Sequence, residues 1–241
     1  MNEFQSPRFV DDALIQDDSA ISRFIANVFS WMVAGLVMTA TAAYYVAQSG
    51  LVSHLFNPET GGMSGLGWIV MLAPLGFIVA MNMGFQRWSS MSLTLLFLAF
   101  SAVMGVSLSS IFLVYELSSI SQVFVITAVT FAVMAVIGYT TQTDLTKFGS
   151  LLMMALIGII IASFVNWFIG SAGLDYIISI AGVLIFTGLI AYDTQRLKRI
   201  AAGVEYGSET GTKLAILGAT SLYLNFINLF LFLLRLLGRR N

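Results

Sequence analysis

Residues 214–237 read LAILGATSLYLNFINLFLFLLRLL, a run of 24 residues in which Arg235 carries the only charge. An α-helix rises 1.5 Å per residue, so about 20 residues cross roughly 30 Å of hydrocarbon. The run is continuous rather than alternating, which argues against a strand of a transmembrane β-barrel. This stretch therefore predicts a membrane-spanning helix, and it sets the fold class for the rest of the chain.

Six further apolar runs of similar length precede this one, and short polar links join them. All seven have the 18 to 24 residues that a membrane crossing needs. They lie at Phe24–Ala47, Leu66–Phe85, Leu93–Tyr115, Gln122–Tyr139, Leu151–Phe168, Leu174–Tyr192 and Leu214–Leu237. We predict an all-α, polytopic membrane protein with seven transmembrane helices in one domain, residues 23–241. An acidic cytoplasmic tail, residues 1–22, precedes it.

Composition agrees with this class and excludes several others. Of 241 residues, 58% are hydrophobic and 10% are charged, whereas a soluble domain carries about 25% charged residues. The lipid bilayer is therefore the expected surrounding. A formal net charge of −1 gives no reason to expect nucleic-acid binding. The chain contains no cysteine, which excludes disulfides and thiolate chemistry.

The basic residues are distributed unevenly between the two predicted sides of the membrane. The links Gln48–Gly65, Glu116–Ser121 and Ile169–Gly173 contain no Lys or Arg. The positive-inside rule places the basic side in the cytoplasm, so we expect a cytoplasmic N-terminus. The C-terminal Arg235, Arg239 and Arg240 run against this rule. The residues that support it are Arg8, Arg23, Arg87, Lys147, Arg196, Lys198, Arg199 and Lys213.

The seventh run carries a stripe of small and polar residues within a segment that is otherwise Leu, Ile and Phe. The stripe follows the spacing i, i+3, i+7, i+10 and i+17, which falls on one side of a helix. Such a stripe faces the bundle interior or a water-filled cavity rather than lipid. Lining of an ion pathway and plain hydrogen bonding between helices are both consistent with it. The residues are Gly218, Ser221, Asn225, Asn228 and Arg235.

Asp193 directly follows the sixth run and is the most informative single residue. One interpretation is an ordinary interfacial carboxylate at the start of a cytoplasmic connection, solvated beside Arg196 and Lys198. The other is a buried carboxylate whose charge depends on pH, because burial disfavours the charged form and a nearby cation favours it. Arg87 follows the second run on the same predicted side and is a candidate for that cation.

Two motifs mark the sixth and seventh runs: AYDTQ at residues 191–195 and LYLNFINLF at residues 222–230. Shorter segments accompany them: SSIF at 109–112, GYTT at 138–141, DL at 144–145 and ALIG at 155–158. Together these segments resemble the Bax inhibitor 1 (transmembrane Bax inhibitor motif) family, in particular its bacterial YccA-like branch. The resemblance extends from about Ser22 to the C-terminus.

This resemblance implies a seven-helix bundle with the C-terminal helix at its centre, in a bacterial plasma (inner) membrane. Members act as pH-sensitive Ca²⁺ leak channels, gated by two aspartates on the sixth and seventh helices. Asp193 matches the first aspartate, and Arg87 matches an arginine that can engage it. The bacterial branch is also associated, as substrate or modulator, with the membrane-bound ATP-dependent protease FtsH.

Asn225 departs from the family pattern, which has the second aspartate at this position. An amide is nearly isosteric with a protonated carboxylate but cannot ionise, so the coupled titration of a carboxylate pair is lost. We therefore expect Asp193 and Asn225 to form a hydrogen bond that persists across pH. Together with Arg87 they would form the gate, and Ser221 and Asn228 would line the pathway.

The sequence thus favours a cation (Ca²⁺) leak channel with an altered pH latch over a non-transporting regulator or substrate of a membrane protease. An intramembrane aspartyl protease would need a second carboxylate, which Asn225 does not supply. The chain contains no phosphate-binding loop, zinc-binding motif or Ser-His-Asp set. We expect no enzymatic activity, no bound metal and no cofactor.

Overall fold

The computed structural model describes residues 7–57 and 61–241, with side chains from Asp18 onward. Seven helical segments in this part of the chain are long and apolar enough to cross a membrane, which confirms the predicted class. The helices are α1 Pro7–Gln48, the short 3₁₀ helix Leu51–Leu55, α2 Gly65–Gly84, α3 Ser90–Leu108, α4 Ile111–Val114, α5 Leu117–Thr140, α6 Thr146–Ile169, α7 Ala172–Ala202 and α8 Glu209–Leu237. Helices α3 and α4 together make the third span, Ser90–Val114.

Serine side chains define the start of four of these helices. Each hydroxyl accepts the backbone N–H three residues further on, one of the donors that have no partner inside a helix. The pairs are Ser64 with Gly67, Ser89 with Ser92, Ser171 with Leu174 and Ser208 with Gly211. Short polar links therefore suffice to begin each new crossing.

Two helices extend well beyond the apolar runs that predicted them. Helix α7 ends at Ala202 rather than Tyr192, so the expectation that Asp193 begins a connection is wrong. Helix α1 begins at Pro7 and continues without a break through residues 22–23, where the tail was predicted to end. Residues 1–6 of that tail lie outside the described residues. Hydrophobicity marks where a helix is in lipid, whereas the helix itself ends where its hydrogen bonds end.

Helix α8 packs against α1, α3, α5 and α7. Of its most apolar stretch, 61% is buried inside the protein, compared with 11% for α6. Among its aromatic side chains, Tyr223 contacts Phe97 and Phe100 of α3 in edge-on geometry. Most side chains of α8 therefore contact protein, although its composition is that of a helix in lipid.

A buried hydrogen-bond chain joins α1, α3 and α8 within this core. The Thr39 hydroxyl donates to the Ser101 carbonyl at 2.8 Å and lies 2.6 Å from the Tyr223 hydroxyl, which donates to it. All three residues are buried. Since lipid offers no alternative partners, such bonds fix which helix faces meet.

Small residues three or four positions apart predict close helix contact, and the chain has two such stripes. They are Ser101, Gly105 and Ser109 of the third span, and Ala155, Gly158 and Ala162 on α6. On α3, Gly105 is buried, and a Cβ there would lie 2.4 Å from the Thr39 carbonyl of α1. On α6, Ala155 and Ala162 are partly buried against the hydrophobic core, whereas the glycine between them is not. Gly158 is exposed and has no atom within 4 Å of a Cβ position. The prediction of packing is correct for Gly105 and wrong for Gly158.

Candidate functional site: a carboxylate–amide pair between two cavities

Asp193 lies within α7, two turns from the end of that helix, and only 7% of the residue is exposed. Its Oδ2 accepts two hydrogen bonds from α8, from Asn225 Nδ2 at 2.8 Å and from Ser221 Oγ at 2.7 Å. Ser221 and Asn225 are four residues apart, so both face α7 from one side of α8. The predicted hydrogen bond between Asp193 and Asn225 is therefore present.

The cation next to this carboxylate is Arg196, one turn further along α7. Its Nη1 lies 3.6 Å from Asp193 Oδ1, and 57% of the arginine side chain is exposed. The sequence predicts Arg196 beside Asp193 only as part of a solvated connection, and it favours Arg87 as the cation of a buried carboxylate. The i, i+3 spacing would have indicated the pair with Asp193 had the helix been extended past Tyr192.

Arg87, the predicted gate cation, lies elsewhere. It is exposed in the turn between α2 and α3, where its backbone N–H donates to the Gly84 carbonyl. Its side chain forms no hydrogen bond or ion pair with the described residues. The structure thus brings Asp193, Asn225 and Ser221 together without Arg87, whose role as a gate residue stays a prediction.

Two cavities meet at this cluster. The larger, about 760 Å³, lies between α2, α6, α7 and α8, and Asn225 and Asn228 are among its lining residues. The smaller, about 270 Å³, lies toward the α7–α8 connection and reaches Leu214 and Asn82. Residues that line both are Ile78, Asp193, Arg196, Ser221 and Leu224. The carboxylate and its partners are thus located at the boundary between the two spaces.

Asn228 is half-buried and its side-chain amide is already used within its own helix. Nδ2 donates to the Leu224 carbonyl at 2.8 Å. Asn228 therefore contributes a polar atom to the larger cavity without contacting Asp193. The four predicted residues Asp193, Asn225, Ser221 and Asn228 all line that cavity.

Comparison with known proteins identifies the group to which this arrangement belongs. The family model described as "Inhibitor of apoptosis-promoting Bax1" matches residues 21–241. The chain belongs to the Bax inhibitor 1 family. It is similar to the inner membrane protein YbhL of Escherichia coli K12, with 41% identity over 230 residues, 95% of this chain and 97% of YbhL.

Two other bacterial relatives of this Bax inhibitor 1 family member have similar coverage. An uncharacterized protein of Borreliella burgdorferi is 45% identical over 219 residues, 91% of this chain and 93% of that protein. An uncharacterized membrane protein of Streptococcus pyogenes serotype M6 is 35% identical over 229 residues, 94% of this chain and 96% of that one. The seven candidate spans of this chain, together with the relatives that are membrane proteins, support a multi-pass membrane protein.

The last two turns of α7 connect this Bax inhibitor 1 core to the α5–α6 link. Gln195 accepts the Leu145 N–H at 2.9 Å and donates to the Thr143 carbonyl at 2.8 Å. Lys198 donates to the Tyr139 carbonyl and lies 4.8 Å from the centre of the Tyr139 ring. These bonds explain why α7 stays helical past Tyr192, since its last polar side chains are bound to the end of α5 and to the link that follows it.

Asp144, in the same link, accepts the Thr146 hydroxyl at 2.6 Å and the Thr146 N–H at 3.0 Å, so it binds the first residue of α6. It also forms an ion pair with Arg199 at 3.0 Å. The hydrogen bonds from Thr146, followed by the Arg199 charge, lower the pKa of the Asp144 carboxyl below 3.8. Asp144 is therefore charged at neutral pH and holds both α6 and α7 at this end.

No group of three or more His, Cys, Asp or Glu side chains that could hold a metal ion occurs among the described residues. At the cluster itself, Asp193 supplies the carboxylate, and Asn225, Asn228 and Ser221 supply neutral oxygen atoms. Ca²⁺ takes six to eight oxygen ligands in a stable protein site. This arrangement can offer passing contacts to a cation, in contrast to a tight resident site.

Proposed function

We propose that this protein is a cation leak pathway whose closed latch is the hydrogen bond between Asp193 and Asn225. The observation that carries the proposal is the 2.8 Å bond between these side chains at the boundary of two cavities. An ionisable residue buried within a membrane bundle is by default a candidate for an ion or proton pathway. Ca²⁺ is the proposed transported ion.

In this proposal the carboxylate does two things. While it accepts from Asn225 and Ser221 it holds α7 against α8 and keeps the cavities separate. When those hydrogen bonds break, the freed carboxylate faces the boundary between the two cavities and attracts a cation. Few ligands mean weak binding, and weak binding allows an ion to leave again, as conduction requires.

The pH response follows from which side chains can ionise. In a pair of carboxylates, one proton decides whether the two groups attract or repel. Asn225 cannot ionise, and it can donate to Asp193 at any pH. We therefore expect a small Ca²⁺ flux that changes little between about pH 6 and 8.

The test is Ca²⁺ flux into proteoliposomes at several pH values, with Asn225→Asp compared with the unchanged chain. Restoring the second carboxylate should make the flux depend on pH. Asn228→Asp is the matched control, because it adds the same charge one turn away on the same helix but outside the contact with Asp193. Asp193→Asn should give a pH-insensitive protein with a pathway that attracts cations less.

Two results would contradict the proposal. One is a steep pH response of the unchanged chain that survives Asp193→Asn, which would place the sensor elsewhere. The other is an equal gain of pH dependence from Asn225→Asp and Asn228→Asp, which would show an effect of added charge alone. Absence of flux in all variants would exclude transport and favour the second function below.

For location we propose a bacterial plasma (inner) membrane with the N-terminus in the cytoplasm. The support is the absence of Lys and Arg from three links on the opposite side, and the similarity to YbhL, an inner membrane protein of Escherichia coli. Cysteine residues introduced at Ser208 and at Ser118, in a chain that has none of its own, should be labelled from opposite sides of intact cells. Reversed labelling would refute the orientation.

A second candidate is a non-transporting regulator or substrate of an FtsH-like membrane-bound ATP-dependent protease. The observation that favours it is the length of α1, which begins at Pro7 although the apolar run of this helix begins only at Phe24. The first helix thus has additional turns on the proposed cytoplasmic side. Deleting residues 1–17 should change proteolysis and leave Ca²⁺ flux unchanged if this function is correct, whereas unchanged proteolysis would reject it.

A further inference from the structure

Two arginines on one face of α7 line a pocket that the latch does not use. Arg196 and Arg199 are three residues apart, and with Thr146, Tyr192 and Ile200 they surround about 320 Å³. Their side chains are 57% and 50% exposed. The pocket lies near the ends of α7 and α6 on the N-terminal side of the membrane, where helices meet lipid headgroups.

The bonds within the protein leave positive charge in this region. Arg199 is held by Asp144 and Thr146, but Arg196 donates no hydrogen bond to any described residue and meets Asp193 only at 3.6 Å. Lys198 is bound to a carbonyl and a ring rather than a carboxylate. An arginine with free donors at a membrane interface fits a phosphate, which its planar fork can bind through two hydrogen bonds.

A crevice continues from this pocket into the membrane, and its α6 side is mostly apolar whereas its α8 side carries Asn225 and Asn228. The 760 Å³ cavity shares Tyr192 and Arg196 with the pocket, so the two spaces adjoin. Along α6 the crevice is lined by Met153, Leu156, Ile160 and Ser163. Ten residues of helix cover about 15 Å, roughly half of the hydrocarbon thickness, which is the depth of one leaflet.

Trp68 of α2 and Trp167 of α6, with ring centroids 6.4 Å apart, lie beyond the residues that line the crevice, toward the opposite side of the membrane. Tyr192 forms the wall next to the arginines, and its position is fixed because its ring packs directly over Gly149, where a Cβ would lie 2.4 Å away. A charged mouth above a crevice with a largely apolar α6 side matches the headgroup and the acyl chain of a lipid.

We propose that an anionic phospholipid of the N-terminal-side leaflet binds here, with its phosphate on Arg196 and Arg199 and one acyl chain in the crevice between α2 and α6. The excess positive charge selects an anionic headgroup over a zwitterionic one, because a choline would place a cation beside two arginines. Free phosphate could use the arginines but gains nothing from the crevice. Basic pockets between transmembrane helices are suited to such headgroups.

A bound phosphate would compete with Asp193 for Arg196. In the proposed latch this would remove the cation next to the carboxylate, so lipid would tune the gate; that consequence rests on the proposed function. Binding itself does not, and it is measured without ion flux. The two ideas can therefore fail separately.

The experiment is native mass spectrometry of the full-length protein, taken from micelles that contain equal amounts of phosphatidylglycerol and phosphatidylcholine. The unchanged protein should retain phosphatidylglycerol preferentially. Arg196→Gln should lower that retention about fivefold, the effect of roughly one arginine–headgroup contact. Arg23→Gln, which removes an exposed arginine on the same side, should leave it unchanged.

A second pair of variants tests the acyl chain without altering charge. Ile160 lines the crevice and Ile161 does not, although the two are equally exposed on α6, at 60% and 58%. Ile160→Trp should fill the slot and lower retention severalfold, whereas Ile161→Trp should not. Equal loss in Arg196→Gln and Arg23→Gln would overturn the proposal in favour of nonspecific attraction. Equal retention in the two tryptophan variants would also overturn it, and would indicate a phosphate site without a lipid chain.

Discussion

Removing both α8 donors to Asp193 should destabilise the protein by more than the sum of the two single changes. Ser221 and Asn225 donate to the same atom, Asp193 Oδ2, at 2.7 and 2.8 Å. Either single alanine variant leaves one donor in place. In the double variant, the only partner of the buried carboxylate that remains among the described residues is Arg196. This arginine lies 3.6 Å away, and most of its side chain is exposed.

The expected magnitudes follow from that arrangement. Hydrogen bonds between membrane helices contribute about 0.6 kcal/mol on average and up to about 1.7 kcal/mol, and bonds to a charged acceptor lie at the upper end of such ranges. We expect about 1 kcal/mol for each single variant. A buried charge left without partners costs about 3–5 kcal/mol, so the double variant should lose at least about 3 kcal/mol, with a coupling of about 1 kcal/mol.

The assay is reversible unfolding in mixed micelles with increasing denaturing detergent, followed by far-UV circular dichroism. Asn228→Ala is the control, because Asn228 donates to Leu224 of its own helix and should cost no more than a few tenths of a kcal/mol. Simple additivity of Ser221→Ala and Asn225→Ala would refute the shared-acceptor argument. So would an Asn228→Ala variant as unstable as Asn225→Ala.

Three further predictions concern helix packing and the α5–α6 link. Gly138→Ala should destabilise by about 1–3 kcal/mol because the new Cβ would lie 2.2 Å from the Ala191 carbonyl, whereas Gly158→Ala, with open space around it, should be neutral or slightly stabilising in the same unfolding assay. Gln195→Ala removes both bonds to residues 143 and 145 and should raise amide hydrogen exchange at Leu145 by at least severalfold without changing exchange in α8; unchanged exchange would contradict the role given to Gln195. The lowered pKa of Asp144 implies a contribution to stability that is present above the unfolded-state pKa near 3.8 and is lost as pH falls through the lower folded-state pKa. Asp144→Asn should therefore reduce the melting temperature at pH 6 but not in strong acid. An equal reduction of the melting temperature at both pH values would refute this argument.

The sequence alone predicts the membrane class and the key side-chain pair well, for a shared physical reason. In lipid an apolar run has to be a helix, and a polar group has to find a partner. Seven runs therefore predict seven spans. Because Asp193 and Asn225 are polar residues on consecutive spans, the sequence predicts a hydrogen bond between them. Both inferences depend on the cost of unsatisfied polar groups in a membrane, which does not change with the details of packing.

Packing partners are harder to predict, as Gly105 and Gly158 illustrate. Both occur in small-residue stripes on apolar helices, and nothing local distinguishes them. Gly105 meets the backbone of α1, whereas Gly158 is exposed and has open space around it. Which stripe is covered depends on how α6 is placed in the bundle, and that placement is set by α7 contacts such as Gly149 with Tyr192.

Arg196 shows why the cation next to Asp193 was not predicted from the sequence. A cluster of charges after an apolar run indicates that the chain has left the hydrocarbon, but it does not indicate that the helix has ended. Here Gln195, Lys198 and Arg199 bind the α5–α6 link and keep α7 helical to Ala202. Because the helix continues, Arg196 stays one turn from Asp193. A loop after Tyr192 would not have kept the two side chains this close. The same extension places Arg196 beside the crevice, so the residue that compensates Asp193 is also the residue best positioned to sense lipid.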